Sequence, residues 1–313
     1  MRRISCSRII FSVLVAGVVS STVLAADETV ATAVYARAAK DYKRERQKDG
    51  SFKPEFYGLA NGGRIAGTGS DVTVDRVTYP EVAQIAARLL AQQNYHYAQS
   101  AKQADLMIVL HWGTTIAFNS GNYSQAVNQV ATSMAGNGPQ GMGSMERNMS
   151  AVPTDGAGGG GGTDESAMLM LMAENRARDQ INLPNARLLG YLDDINDSDD
   201  IRRWAGGGDR YNDLMADIEE SRYYIIVSAY DFDQLVNHQK KVLRWQTRVS
   251  VRAPGNRFDD SFAAMLKGAS KYFGQDSGRL KRGEESKGTV ELGDLKFLGE
   301  AKEQDASQAG PKK

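Results

Sequence analysis

Apolar positions along this chain fall in helical periods, in alternation and in one continuous run, and the elements they predict carry most of what the sequence says. Between Asp27 and Lys48 there is neither Gly nor Pro, and alanines with Val30, Val34 and Tyr35 run into "KDYKRERQK", which predicts a helix ending at Gly50. "GLANGGRIAGTG", Gly58 to Gly69, predicts a flexible or turning segment. Val72 to Tyr79 favours a strand, and Pro80 suits the first turn of a helix whose Val82, Ile85, Ala86, Leu89 and Leu90 share one face. "ADLMIVLHWGTT" then reads as a strand over Leu106 to Trp112, apolar at nearly every position and so expected to be buried on both faces. The first unit is therefore β-α-β.

From Asn119 to Thr163 the period disappears into a stretch rich in Gly, Ser, Asn and Gln. Such a composition buries too little apolar surface to offset its ordering entropy, so a disordered insertion is expected. Helical pieces follow at Glu165 to Ile181, Ala186 to Leu192 and Tyr211 to Glu220, which read as a small cap. Tyr223 to Phe232 and Lys241 to Val251 return to strands. In the second, Leu243, Trp245, Thr247, Val249 and Val251 alternate with Arg244, Gln246, Arg248 and Ser250, the mark of one buried face and of an antiparallel or edge strand. Phe258, Phe262, Met265, Leu266, Ala269 and Phe273 form a closing helical stripe, with Asp259 and Asp260 in its first turn. In the polar tail only "TVELGDLKFLG" suggests another strand.

The assembled prediction is an α/β (α+β) fold: a two-layer mixed sheet with helices on one face, plus an inserted helical cap and a Gly-rich disordered segment. Its divisions are 1–25, an export signal; 26–118, an N-terminal helix and the first β-α-β half; 119–164, the flexible insertion; 165–221, the helical insertion; 222–274, the β-β-α second half; and 275–313, a polar tail, mostly disordered. The signal rests on basic Arg2, Arg3 and Arg8, the apolar "IIFSVLVAGVV" and the small-residue end Val23-Leu24-Ala25. It is too short for an ordinary anchor, and no membrane span is expected once it is removed.

Composition narrows the chemistry. The single cysteine, Cys6, lies within the signal, which leaves no disulfide, no thiol nucleophile and no lipid-acceptor cysteine after it. The full chain has 38 basic and 38 acidic residues, and losing three arginines leaves it near −3, no footprint for nucleic acid. A soluble product in the periplasm or outside the cell is the expectation.

The order of elements resembles a family of bacterial envelope proteins of unknown function, many of them lipoproteins. The matching pieces are Leu89 to Tyr97, Ala104 to Trp112, Tyr223 to Asp231, Val242 to Gln246 with Trp245, and Phe258 to Phe273, about half of the mature chain. The resemblance implies a place in the envelope and no particular activity. This chain departs from it in lacking the lipid-acceptor cysteine and in its long insertion.

Candidate chemistry is sparse. His111 at a strand end could be a general base beside Asp231, as in a periplasmic hydrolase, although a histidine there more often only satisfies a hydrogen bond. His96 and His238 are too scattered for a zinc site. "DDINDSDDI" could attract calcium through Asp194, Asn196, Ser198 and Asp200, but Asp199 and Ala205 stand where a calcium loop needs Gly and Glu, and a helix cap explains the acidity equally well. Seven of the 11 methionines lie between Met134 and Met172, and Met168 with Met172 could hold copper or serve adaptable packing. The glycine-rich stretches fail as nucleotide loops, and no cofactor is called for. The leading expectation is a non-enzymatic, exported module that binds an envelope protein partner, of oligomeric state unknown, with a hydrolase and a metal-binding protein as alternatives.

Overall fold

The computed structural model describes residues 28–118, 162–197 and 209–287. The expected export signal, the insertion at 119–161 and the strand within "TVELGDLKFLG" lie outside them. The fold is α/β, built on a seven-stranded mixed sheet in the order β3-β2-β4-β5-β6-β1-β7.

The predicted N-terminal helix is instead a strand, β1 (Thr29–Ala38), followed by irregular chain. Alanine is a strong helix former, but intrinsic propensity yields to tertiary context, and Val30, Thr32, Val34 and Tyr35 fit a pleated surface that pairing with the neighbouring strands stabilises. β1 lies between β6 (Leu243–Arg252) and β7 (Lys281–Ser286), antiparallel to both, with Val34 opposite Val249 on one side and Lys281 on the other. Val30 and Val34 enter one core and Ala33 the other, so β1 is buried on both faces.

The glycine-rich stretch is also ordered through Gly63, in β2 (Glu55–Gly63), which runs parallel to β3 (Tyr95–Tyr97) and β4 (Leu106–Thr114). Its small residues accommodate a neighbour: a Cβ at Gly62 would stand 2.3 Å from the His111 ring. With β2 in the leading parallel position, Val72 to Tyr79 is not a strand. It opens with the short helix α1 (Val72–Asp75), whose Thr73 amide donates to the Asp71 side chain at 2.7 Å. The helix α2 (Tyr79–Gln92) starts as expected, with Pro80 in the first turn and a Thr78–Glu81 capping box.

After the insertion come α3 (Gly162–Leu189), α4 (Asp209–Glu219), β5 (Arg222–Asp231), the short α5 (Phe232–Val236), β6, α6 (Phe258–Ser270) and β7. The separate helical pieces expected between Glu165 and Leu192 are one helix to Leu189, which runs through Pro184. A further helical stretch covers residues 192–197. β5 and β6 are central and antiparallel, and β4 joins β5 with Leu106 opposite Asp231.

Two apolar cores result. On the first face Ile108, Leu110, Ile225, Val227, Trp245 and Val249 meet Leu90 from α2 and Met265 and Phe273 from the α6 region. On the second face Ala33, Tyr224 and Ile226 meet Ala186, Leu189, Tyr191, Leu214 and Ile218 from α3, the turn after it and α4. The helical cap thus forms a further layer on the face opposite α2 and α6. β4 shows the asymmetry: Leu106, Ile108 and Leu110 are buried, whereas Met107, Val109 and His111 on the capped side are only half-buried.

Candidate functional site

The carboxyl ends of β1 and β5 and the amino ends of β2, β4 and β6 meet at one end of the sheet. Two grooves of about 530 Å³ each lie there, opposite in charge.

The first lies on the second face of the sheet, beside the cap. Its floor is Gln246 and Arg248 of β6. One wall is Tyr35 to Lys40 at the end of β1, and the other is Arg187, Gly190, Leu192 and Asp193. Tight local structure sets this wall: Gly190 has φ +82°, and a Cβ there would stand 2.5 Å from the Tyr35 ring. That close approach lets the Tyr35 hydroxyl donate to Asp193, while Arg37 pairs with the same carboxylate at 3.1 Å. Burial first, then the Asp193 contact, pushes the Tyr35 hydroxyl up to about 12, so it stays a donor at neutral pH.

Four cations, Arg37, Lys40, Arg187 and Arg248, thus face one carboxylate. Arg248 is the deepest in the sheet. Its guanidinium lies 5.7 Å from the Tyr35 ring centroid, within cation–π range. Burial lowers its basicity from the usual guanidinium value. Among the described residues no hydrogen bond or ion pair engages Arg248, Arg187 or Lys40. Arg222 makes the contrast. It is also buried on this face, yet α4 supplies Asp217 at 3.0 Å and Ser250 accepts from its Nε at 3.1 Å. A charge withdrawn from water requires such compensation, and among the described residues Arg248 has only the Tyr35 ring and the charge of Asp193 acting through space, with no hydrogen bond or ion pair.

The second groove is acidic, lined by Asp41, Glu45, Glu55, Asp105, Asp231 and Asp233 with Lys43, Lys53 and Arg244. Its carboxylates serve the fold. Asp105 accepts the Phe56 amide at 2.9 Å and fixes the start of β2. Asp231 accepts the Gln234 amide at 2.8 Å, capping α5, and pairs with Arg244 at 2.8 Å. Burial alone would raise the Asp231 carboxyl, but the Gln234 amide and Arg244 outweigh it and hold it below the ordinary carboxylate value. Glu55 is shifted the other way, chiefly by burial, although the Tyr42 hydroxyl donates to it at 2.7 Å. Arg44 lies 3.8 Å from Glu55, donates to the Gln93 and Lys53 carbonyls, and stacks 3.9 Å from the Tyr95 ring centroid.

The residues singled out from sequence do not assemble into a reaction centre. In the β4–β5 register His111 faces Ile226 and Asp231 faces Leu106, five residues apart, or about 17 Å along the strands. His111 Nδ1 lies 3.2 Å from the Gly63 carbonyl, a backbone partner at the opposite end of the sheet from Asp231. His96 sits on the edge strand β3, and His238 pairs with Asp233 at 3.4 Å on the surface. Asp194 is buried, paired with Arg210, and accepts the Leu280 amide at 2.7 Å, so it ties the cap to the chain before β7. Asn196 is exposed, while Ser198 and Asp200 lie outside the described residues. Met168 and Met172 share α3, with Met172 exposed. Among the described residues no three His, Cys, Asp or Glu side chains are grouped to hold a metal, and no helix is long and apolar enough to cross a membrane.

Sequence reasoning missed Arg248. The signal was present in the polar positions Arg244, Gln246 and Arg248 of β6, which were assigned to solvent because the cap that covers that face could not be placed. No protein-family model matches the chain, and no curated protein matches it either. The resemblance to envelope proteins therefore rests on the sequence pattern alone.

Proposed function

We propose that this chain is an exported, non-enzymatic binding module that recognises a protein partner of the cell envelope through the basic groove between the sheet and the helical cap. The observation that carries this reading is Arg248, a half-buried cation on an interior strand that no described carboxylate engages, opening into a groove of about 530 Å³. Groove volumes of roughly 300–1,000 Å³ suit recognition of a small chemical group. Arg37, Arg187 and Lys40 at its rim favour approach of a negative charge. The basic, apolar start of the chain supports export.

The hydrolase reading is weakened by the separation of His111 from Asp231 and by the structural duties of Asp105 and Asp231. Site-specific photocrosslinking in cells tests the proposal. A photoreactive residue in place of Leu243, at the groove mouth, should yield a discrete protein adduct, and one in place of Val72, exposed elsewhere, should not. Adducts from neither position, or the same adducts from both, would overturn it.

A further inference from the structure

We propose that the basic groove binds a single carboxylate carried on an apolar chain, with Arg248 as the residue that holds the anion. This deepens the partner-binding reading and rests on it for the identity of the site. Arg248 is the deepest of the four cations that line the groove, and its planar fork matches a carboxylate through two parallel hydrogen bonds, a geometry a lysine cannot supply. Arg222 on the same face shows what the fold does with a buried arginine that has only a structural part: it provides Asp217. At Arg248 the ligand would provide that carboxylate.

The remaining lining sets the rest of the chemistry. Asp193 already engages Arg37 and the Tyr35 hydroxyl, and its own negative charge disfavours a second charge on the ligand. Beyond Arg244, which pairs with Asp41 at 2.8 Å, the acidic groove repels any anion extended that way. A single carboxylate meets the one fork that Arg248 offers. Ala38, Ala39, Leu192 and Leu243 line the same groove, and Leu243 is 39% exposed, which offers apolar surface to the body that carries the charge. A peptide ending in aliphatic residues and a medium-chain fatty acid both present this chemistry.

Fluorescence anisotropy on the purified 313-residue chain tests the inference. The probe is an alanine-leucine-leucine tripeptide labelled at its amino end, in two forms: one with a free terminal carboxylate and one amidated. The free acid should bind, and amidation should weaken binding by about tenfold or more, the loss expected when a charged hydrogen-bonded group is removed. Arg248→Gln should weaken the acid to a similar degree, and Arg248→Lys should not restore it. Leu243→Glu, an exposed change at the mouth, should also abolish binding and covers the case in which Arg248→Gln does not fold. Decanoate that displaces the peptide identifies any apolar carboxylate as sufficient, while decanoate that fails identifies the peptide end. Equal binding of acid and amide, displacement by inorganic phosphate at matched concentration, or no binding of either probe would overturn the inference. A crosslinked partner that the tripeptide cannot displace would sink the carboxylate chemistry but keep the partner reading. Tight carboxylate binding with no crosslinked partner would do the reverse.

Discussion

Single residues set the geometry of both grooves, and their replacements separate support from recognition. At Gly190 a positive φ coincides with the Tyr35 ring where a side chain would stand. Gly190→Ala should therefore cost about 1–3 kcal/mol in urea unfolding and loosen the wall that carries Asp193. Asp231 acts on the fold alone. Asp231→Ala should cost about 1–2 kcal/mol at pH 7 through the lost cap and leave groove binding unchanged. Because the folded-state acidity of Asp231 is enhanced, its contribution is present above the unfolded carboxylate value and fades as pH falls through the lower folded one, so the variant and the parent should converge in acid. Glu55 has the opposite slope. Burial raises its folded value, so the folded state holds the proton longer, and stability falls as pH rises from the unfolded value through the folded one. Glu55→Gln should gain melting temperature relative to the parent at pH 7 but not at pH 4, and an equal difference at both would contradict the assignment.

Among elements, the legible ones were those whose burial is written into their residues. β4, β5 and β6 and the helices α2 and α6 follow from long apolar or alternating runs that tertiary context reinforces. β1 was not legible, because its alanines suit a helix and only β6 and β7, more than 200 residues away, supply its pairing. β2 was hidden by its glycines, of which Gly62 leaves the room that the His111 ring occupies. The cap was recognised as helical, but its docking on the second face was not, and with it went the groove. The decisive apolar contacts of the cap are testable. Ile218→Ala in α4 and Leu189→Ala in α3, both nearly fully buried, should each cost about 2–5 kcal/mol, and Leu189→Ala should also weaken ligand binding because the groove wall follows it directly. Thermal unfolding followed by tryptophan fluorescence, with Trp245 in the first core, should show one transition if cap and sheet melt together. An early transition in helical circular dichroism, with the fluorescence of Trp245 unchanged in a chain whose Trp112 and Trp204 are replaced by Phe, would assign the cap to a separate cooperative unit.

At the scale of the whole molecule, one sheet divides the labour. Its first face is closed by α2 and α6 and provides stability, while on its second face the described residues of α3 and α4 leave a basic groove, with an acidic groove nearby at the same end of the sheet. The binding proposed for the basic groove rests on one contrast: Asp217 pairs with Arg222, whereas among the described residues no carboxylate pairs with Arg248. The most direct measurement is photocrosslinking from Leu243 in cells that express either the parent chain or Arg248→Gln at equal levels. One discrete adduct in the parent that is lost in Arg248→Gln is the expected result. An adduct of undiminished yield in Arg248→Gln, or no adduct in the parent, would contradict the account.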